Sequence, residues 1–298
     1  MLMAKNSAIS WTDHTFNPWW GCAESSPGCT NCYAKAWAHR LSRYGLWGRD
    51  ARRQIAGPKM WTEPHAWNRK SRESGARAKV FCASMADVCE DRPDLVDPRK
   101  RLEQLIRETD RLQWILCTKR PENYGLFSPD TLSRCCVLAT AERQEELDAR
   151  LPHLLRTRAL CRGVSLEPLL GPINLERGLH RCHGATDGEC FWHLCPQLRD
   201  NEPELTGRHC PLDDDDPDDE GVRAPRLGWV IAGPETGTSA RPCDVEWIRS
   251  VVRQCQDAHV PVHVKAVPIL TANRNIGISH NPLEWPEDLR GRDEVPRG

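Results

Sequence analysis

The strongest constraint on the fold is a rhythm of short apolar runs alternating with helical patterns. The runs are Lys79–Ala83, Gln113–Cys117, Cys135–Ala139, Leu160–Leu166, Trp229–Ala232 and Val262–Lys265. Each is too short for a helix and rich enough in apolar and β-branched residues to be a buried strand. Between several of them the spacing changes to that of a helix. Arg99–Thr109 places Leu102, Leu105 and Ile106 on one face. Asp244–Ala258 opens on an N-cap aspartate and carries Val245, Ile248, Val251, Val252 and Cys255. Arg143–Leu155 repeats the pattern with Leu147, Leu151, Leu154 and Leu155, and Pro152 is expected to break it. Strand–helix alternation of this kind predicts parallel βαβ units. With a first strand near His14–Trp19, the expected architecture is α/β, a full or partial (βα) barrel, with a doubly wound open sheet as the rival. Both place ligands beyond the carboxyl ends of the strands.

Those ends are polar in every case. They read Ser84-Met85-Ala86-Asp87, then Thr118-Lys119-Arg120-Pro121, then Thr140 with Glu142. Next come Ser165-Leu166-Glu167-Pro168, Gly233-Pro234-Glu235-Thr236-Gly237, and finally Lys265. A single such end is an ordinary loop, and a single Glu or Lys is as often a surface or ion-pair residue. Six in succession predict the wall of one polar pocket.

The chain holds 15 cysteines. It has no apolar run of membrane-spanning length, and its first residues lack the apolar stretch of a signal peptide, so a cytoplasmic location is expected and disulfides are not. Cys82, Cys117, Cys135 and Cys136 lie in apolar runs and read as buried small hydrophobes. Cys22, Cys29 and Cys32 are different. They form a C-x6-C-x2-C group in a turn-rich loop, AESSPGCTN, followed by a helical segment from Tyr33 to Gly45. A close C-x2-C pair brings two thiolates to one metal centre, and the amides at a helix start suit an anionic cluster. Three thiolates on a [4Fe–4S] cluster leave one iron open to a cofactor or substrate. The spacing alone also admits zinc, with His14 or His39 as fourth ligand, or a redox pair that has no use for Cys22.

The segments carrying these features resemble a phage and mobile-element family of radical S-adenosylmethionine (SAM)-like proteins with a stretched three-cysteine motif. The resemblance rests on NPWWGC, the three cysteines with CYA, FCASMADVCED, WILCTKRPENY, VSLEPLLGPI and GWVIAGPETGTSARPCDVEWIRSVVRQC. The usual radical SAM spacing is C-x3-C-x2-C, so the first gap here is longer. The resemblance implies a partial (βα)6-type barrel, SAM on the open iron, and reductive cleavage to a 5′-deoxyadenosyl radical, fed by an external reductant. By order along such a barrel, Ser84 and Asp87 would meet the SAM amino group. Thr118, Lys119, Ser165 and Glu167 would meet its carboxylate and ribose, and Gly233 and Glu235 its adenine.

Residues 1–173 and 227–270 thus form the expected barrel domain, with 271–298 as an extension packed loosely on the surface. Residues 174–226 break the rhythm and read as an insertion. Cys182, Cys190, Cys195 and Cys210, interleaved with His183, His193 and His209, are candidate zinc ligands there, because a short insertion without a core needs a staple. The stretch 213–220, DDDDPDDE, holds seven acids. Set aside, it leaves about +6 on the rest of a chain whose formal charge is −1. A basic body suits an anionic partner. Six of the 12 tryptophans, Trp19, Trp20, Trp37, Trp47, Trp61 and Trp67, lie in or near a stretch rich in Arg and Lys. They are either core or a stacking surface for nucleic acid. The expected function is a radical SAM enzyme acting on a nucleotide or a nucleic-acid base, with phage DNA modification as its specific form. The alternative is a non-catalytic zinc module that binds nucleic acid or a partner protein.

Overall fold

The computed structural model describes residues 7, 9–41, 44–179, 227–270 and 276–296. Its centre is a curled, all-parallel sheet of half-barrel form. Seven strands follow one another across it: β1 (His14–Thr15), β4 (Ala78–Cys82), β5 (Leu112–Thr118), β6 (Cys135–Thr140), β7 (Cys161–Leu166), β8 (Trp229–Ala232) and β9 (Val262–Val264). A two-stranded excursion, β2 (Trp19–Trp20) with β3 (Gln54–Ile55), lies between β1 and β4 in the chain. The expected α/β partial barrel is therefore observed, and the open doubly wound alternative is not.

The helices cover the convex side. They are α2 (Pro58–Ser74), α3 (Val96–Glu108), α4 (Pro129–Ser133), α5 (Gln144–Arg156) and, after the short α6 (Glu176–Leu179), α7 (Val245–Asp257). Alternation along each strand divides the sheet into two faces. Val80, Trp114, Leu116, Val137, Val164, Val230 and Val262 pack against Leu102, Leu105, Ile106, Leu147, Ile248 and Val251 of the helices. Phe81, Ile115, Leu138, Trp229 and Ile231 line the concave face, which Trp11 covers from the N-terminal segment. The concave face is thus mainly apolar at depth, with buried Gln113 and His263 as polar exceptions, and polar along its carboxyl rim. That gradient leaves the rim as the place for a polar ligand.

Several expectations are corrected. Pro152 does not end α5, which continues to Arg156. Leu147, Leu151 and Leu154 are buried, and the Asp148 position whose carbonyl loses its partner is exposed, so packing outweighs one missing hydrogen bond. The helix after Cys32, α1 (Tyr33–Arg40), ends five residues before Gly45. Trp19, Trp20, Trp61 and Trp67 are core, each at most 5% exposed, so they offer no stacking surface. His14 stacks on Trp67 with ring centroids 4.3 Å apart, on the helix-covered side.

The C-terminal segment is not loosely packed. β10 (Val267–Leu270) pairs with β11 (Ile276–Ser279), and Trp285 and Leu289 are buried in the main core. Val264 N–H donates to the Arg292 carbonyl at 2.7 Å, and Trp229 Nε1 donates to the Glu294 carbonyl at 3.0 Å. The segment covers the edge of β9, which would otherwise present a bare row of backbone groups. The cysteine- and histidine-containing stretch with Cys182, Cys190, Cys195 and Cys210 lies outside the described residues.

Candidate functional site

The loop bearing Cys22, Cys29 and Cys32 is built from two fixed ends. At its start, Gly21 N–H donates to the Met85 carbonyl at 3.1 Å, and Gly48 N–H donates to the Cys22 carbonyl at 3.0 Å. Gly21 has φ 109°, and a Cβ there would overlap the Leu46 carbonyl oxygen, so only glycine serves. At its end, Pro27–Cys29 forms one 3-10 turn with proline in the first position. Cys29 N–H donates to the Ser26 carbonyl at 2.9 Å and Cys32 N–H to the Cys29 carbonyl at 3.3 Å, after which α1 begins. The C-x2-C pair thus sits on consecutive hydrogen-bonded turns leading into a helix.

Three strand ends grip this loop from below. After β5, Arg120 donates to the Ala23 carbonyl at 2.8 Å and lies 3.9 Å from the Cys22 sulfur. Asp87, after β4, holds Arg120 at 2.9 Å. It also accepts from Thr118 Oγ1 at 2.5 Å, from Lys119 N–H at 3.0 Å and from Cys89 N–H at 2.9 Å. After β6, Glu142 is fully buried and accepts from Ser26 Oγ at 2.7 Å and Arg150 Nη1 at 2.9 Å, with Lys119 Nζ at 3.7 Å. A Cβ at Gly28 would overlap the Glu142 carboxylate, so the loop lies directly on that group. After β8, Glu235 accepts from Asn31 Nδ2 at 2.9 Å and is forked by Arg241, whose Nη1 reaches the Pro27 carbonyl at 3.0 Å.

The remaining rim residues face the concave mouth. Cys117 lies 3.4 Å from Thr140 Oγ1, and Thr140 registers with Ser165 on the neighbouring strand. Lys265 pairs with Glu167 at 2.9 Å, and Gly233 leaves the room that pair occupies, since its Cβ would come within 3.1 Å of Glu167 Oε1. Ser84 is tied to Asn17, and its carbonyl accepts from the Tyr33 hydroxyl at 2.7 Å. The sequence-predicted residues therefore divide. Lys119, Ser165, Glu167 and Gly233 gather at the mouth. Asp87, Thr118 and Glu235 spend their polar atoms on the loop and its supports. Sequence reasoning overlooked Arg241, Asn31 and Arg150, and the only signal for them is proximity to a polar strand end or a cysteine.

Electrostatics follow from this packing. Burial, then Asp87, pushes the Cys22 thiol up to about 12, against the pull of Arg120. Burial likewise lifts Cys117 to about 11, opposed by Thr140 and Lys119. Burial alone would lower Lys119, but Glu142, Cys29 and Cys117 together hold it above the ordinary lysine value. For Glu235, burial acts upward, yet the hydrogen bonds from Arg241 and Asn31 prevail and depress it to about 2.

That last shift gives a measurable sign. A carboxylate depressed from 4.5 to about 2 adds stability that is fully present above about pH 4.5 and lost as pH falls towards 2. Glu235→Gln is therefore less stable than wild type at pH 7, and the gap in melting temperature closes between pH 4.5 and 2. Parallel melting curves across that range check it. A gap independent of pH would mean the carboxylate's charge is not what binds Arg241.

Among the described residues no three His, Cys, Asp or Glu side chains are drawn together as a metal-ligand set. The donor chemistry nonetheless fits a thiolate-bound cluster. The Cys29 sulfur accepts from Ser25 N–H at 3.5 Å, both Ser25 and Ser26 hydroxyls lie 3.9 Å from it, and the Cys22 sulfur faces Arg120. Such donors stabilise coordinated thiolates. No described helix is long and apolar enough to cross a membrane.

Comparison with known proteins adds the following. No curated protein matches the chain. Among solved structures, a spore photoproduct lyase mutant with dinucleoside spore photoproduct is similar at 13% identity and a TM-score of 0.44. That match covers 92% of this chain and 69% of the other. A second spore photoproduct lyase mutant is similar at 11% identity and a TM-score of 0.48, over 87% of this chain and 77% of that one. The family described as "Protein of unknown function (DUF5131)" matches residues 6–275, and the chain belongs to it.

Proposed function

We propose that the chain is a radical SAM-type enzyme whose Cys22, Cys29 and Cys32 hold a [4Fe–4S] cluster, and that its substrate is a nucleotide or a nucleic-acid base. One observation carries the reading. A loop with three cysteines is held by Arg120, Glu142 and the Glu235–Arg241 pair over the carboxyl rim of a parallel half-barrel. That rim is where such sheets bind ligands. When bound, the cluster would leave one iron for SAM and supply the electron that cleaves SAM to a 5′-deoxyadenosyl radical.

The chain's own residues do the positioning. Arg120, fixed by Asp87, counters negative charge at Cys22. Lys119 places a cation at the mouth beside Cys29 and Cys117, where an anionic ligand group is stabilised. The Lys265–Glu167 pair and Ser165 offer donors and acceptors on the far side of the mouth. Apolar side chains beneath, from Ile115 to Ile231, exclude water from below. The nucleotide part of the reading rests on the basic body and on the exposed aromatic residues next to the mouth.

The test is anaerobic reconstitution with iron and sulfide. Wild type should turn brown with about four irons per chain, and reduced protein should change its electron paramagnetic resonance spectrum on adding SAM. Cys29→Ala should lose the bound iron and form no 5′-deoxyadenosine. Colourless protein with stoichiometric zinc, or a spectrum that ignores SAM, defeats the proposal.

A further inference from the structure

Helix α1 leaves the third cysteine carrying Tyr33 and Trp37, and its C-cap Leu41 continues the same four-residue interval. That interval sets them in one row, each about 6 Å further along the helix axis. The opposite face, with Ala34 and Ala38, is buried, and Ala34 packs on Trp20, Leu46 and Met85. The row itself is open. Tyr33 is 56% exposed, Trp37 36% and Leu41 39%. Three large apolar side chains exposed on successive turns form an interaction surface, whereas scattered single ones do not.

The row starts at the mouth. The Tyr33 hydroxyl donates to the Ser84 carbonyl at 2.7 Å, just past the end of β4. From there the row leads outwards over α1. The stretch of chain that carries it is basic. Between residues 25 and 49 the chain has no Asp or Glu, while Arg40 and Arg49 are exposed and Lys35 is paired with Glu24 at 2.6 Å. Apolar side chains, two of them aromatic, on a stretch with exposed arginines match a partner with flat apolar faces and a negative backbone. Unpaired nucleotides are that partner, with bases stacked on the rings and phosphates near the arginines.

We propose that Tyr33, Trp37 and Leu41 on α1 form a stacking platform for a single-stranded or unpaired nucleic-acid segment, which leads it to the mouth. The inference rests on the reading of a nucleotide or base substrate and specifies the surface that holds it. The probe is a fluorescein-labelled 12-nucleotide single strand, as DNA and as RNA, titrated against the full chain at several salt concentrations. Both iron-loaded and iron-free protein are used.

Trp37→Ala should weaken binding by roughly 5- to 150-fold, the range of one lost base–aromatic stack. Trp37→Phe should recover most of it, and Leu41→Ala should have a smaller effect. Arg40→Gln should reduce the salt slope by about one. Trp37 is 36% exposed, so melting curves accompany its variants; if Trp37→Ala does not fold, Trp37→Phe against Leu41→Ala gives the comparison. Wild type that binds neither strand, or Trp37→Ala and Leu41→Ala that bind as wild type does, overturns the platform. A wild type that becomes dimeric through this row overturns it too. The two proposals separate cleanly. Full iron loading with unchanged oligonucleotide affinity in Trp37→Ala removes the platform alone. Absence of iron with weakened affinity in Trp37→Ala removes the cluster alone.

Discussion

Glu142→Gln should lower the melting temperature by about 10 °C and expose Cys29 to thiol reagents. The substitution keeps the side chain's shape and removes its charge. Glu142 has no exposed surface, and two cations converge on it, Arg150 at 2.9 Å and Lys119 at 3.7 Å. Breaking a buried pair from one side costs about 3–5 kcal/mol, because the remaining charge is left without compensation. At about 2–4 °C per kcal/mol for a domain of this order of size, that is a shift near 10 °C. The local effect follows from Ser26, whose hydroxyl donates to Glu142, and from Gly28, which lies against its carboxylate. With the carboxylate neutralised, Arg150 and Lys119 lose their shared counter-charge and the group under the Pro27–Cys29 turn is held less firmly, so Cys29, now 9% exposed, should react faster with a maleimide or disulfide reagent. Ser26→Ala is the control. It removes one hydrogen bond and should cost only about 1 kcal/mol. Equal melting and equal labelling in Glu142→Gln and wild type would show that the rim does not hold the loop.

Glu142 also marks how far the sequence could be read. Its place after an apolar run made it a candidate, because buried parallel strands appear as apolar runs and their ends are easy to locate. The six strands β4 to β9 were legible for that reason. The two-residue strand β1 falls within the first strand expected near His14–Trp19, whereas β3 was not legible, since its pairing comes from the register of its neighbour. Helix α2 was hidden differently. Its buried stripe is Trp61, Pro64, Trp67, Asn68 and Ser71, which has helical spacing but too few apolar members to register as such. At the site, the three cysteines were visible as a group, whereas the function of the polar rim was visible only in outline. Asp87 and Glu235 look in the sequence like residues waiting for a ligand. In the structure they bind Arg120 and Arg241, which then hold the cysteine loop. The contacts of Arg120 and Arg241 with the loop span 97 and 214 residues, and partner identity at such separations is a property of the tertiary fold that no local pattern encodes.

Arg53 is the clearest instance, and its replacement has the second large expected effect. In the sequence it is one of two adjacent arginines, indistinguishable from surface charge. In the structure its guanidinium group is buried and forks Glu90, with Nε at 2.7 Å and Nη2 at 2.6 Å from the two carboxylate oxygens. Its other donors go to the carbonyls of Leu46, Gly48 and Ala51 at 3.2, 3.1 and 2.5 Å. One side chain therefore staples the 46–51 turn to the segment that follows β4. That turn holds Cys22, through the Gly48 hydrogen bond and the pairing of Cys22 with Trp47. Arg53→Met should cost about 3–5 kcal/mol by leaving Glu90 buried and unpaired. Arg53→Lys should recover little, because an ammonium cannot fork a carboxylate and reach three carbonyls together. The double variant Arg53→Met with Glu90→Leu should regain much of the stability, since an apolar pair can replace a buried ionic one. It should not regain the ordering of the 46–51 turn, because the three carbonyls stay without their donor. Melting temperature and hydrogen exchange at Gly48 separate the two effects. If the double variant restores slow exchange at Gly48, the carbonyl contacts of Arg53 are not what orders the turn, and an apolar pair at 53 and 90 holds it as well as the ionic one.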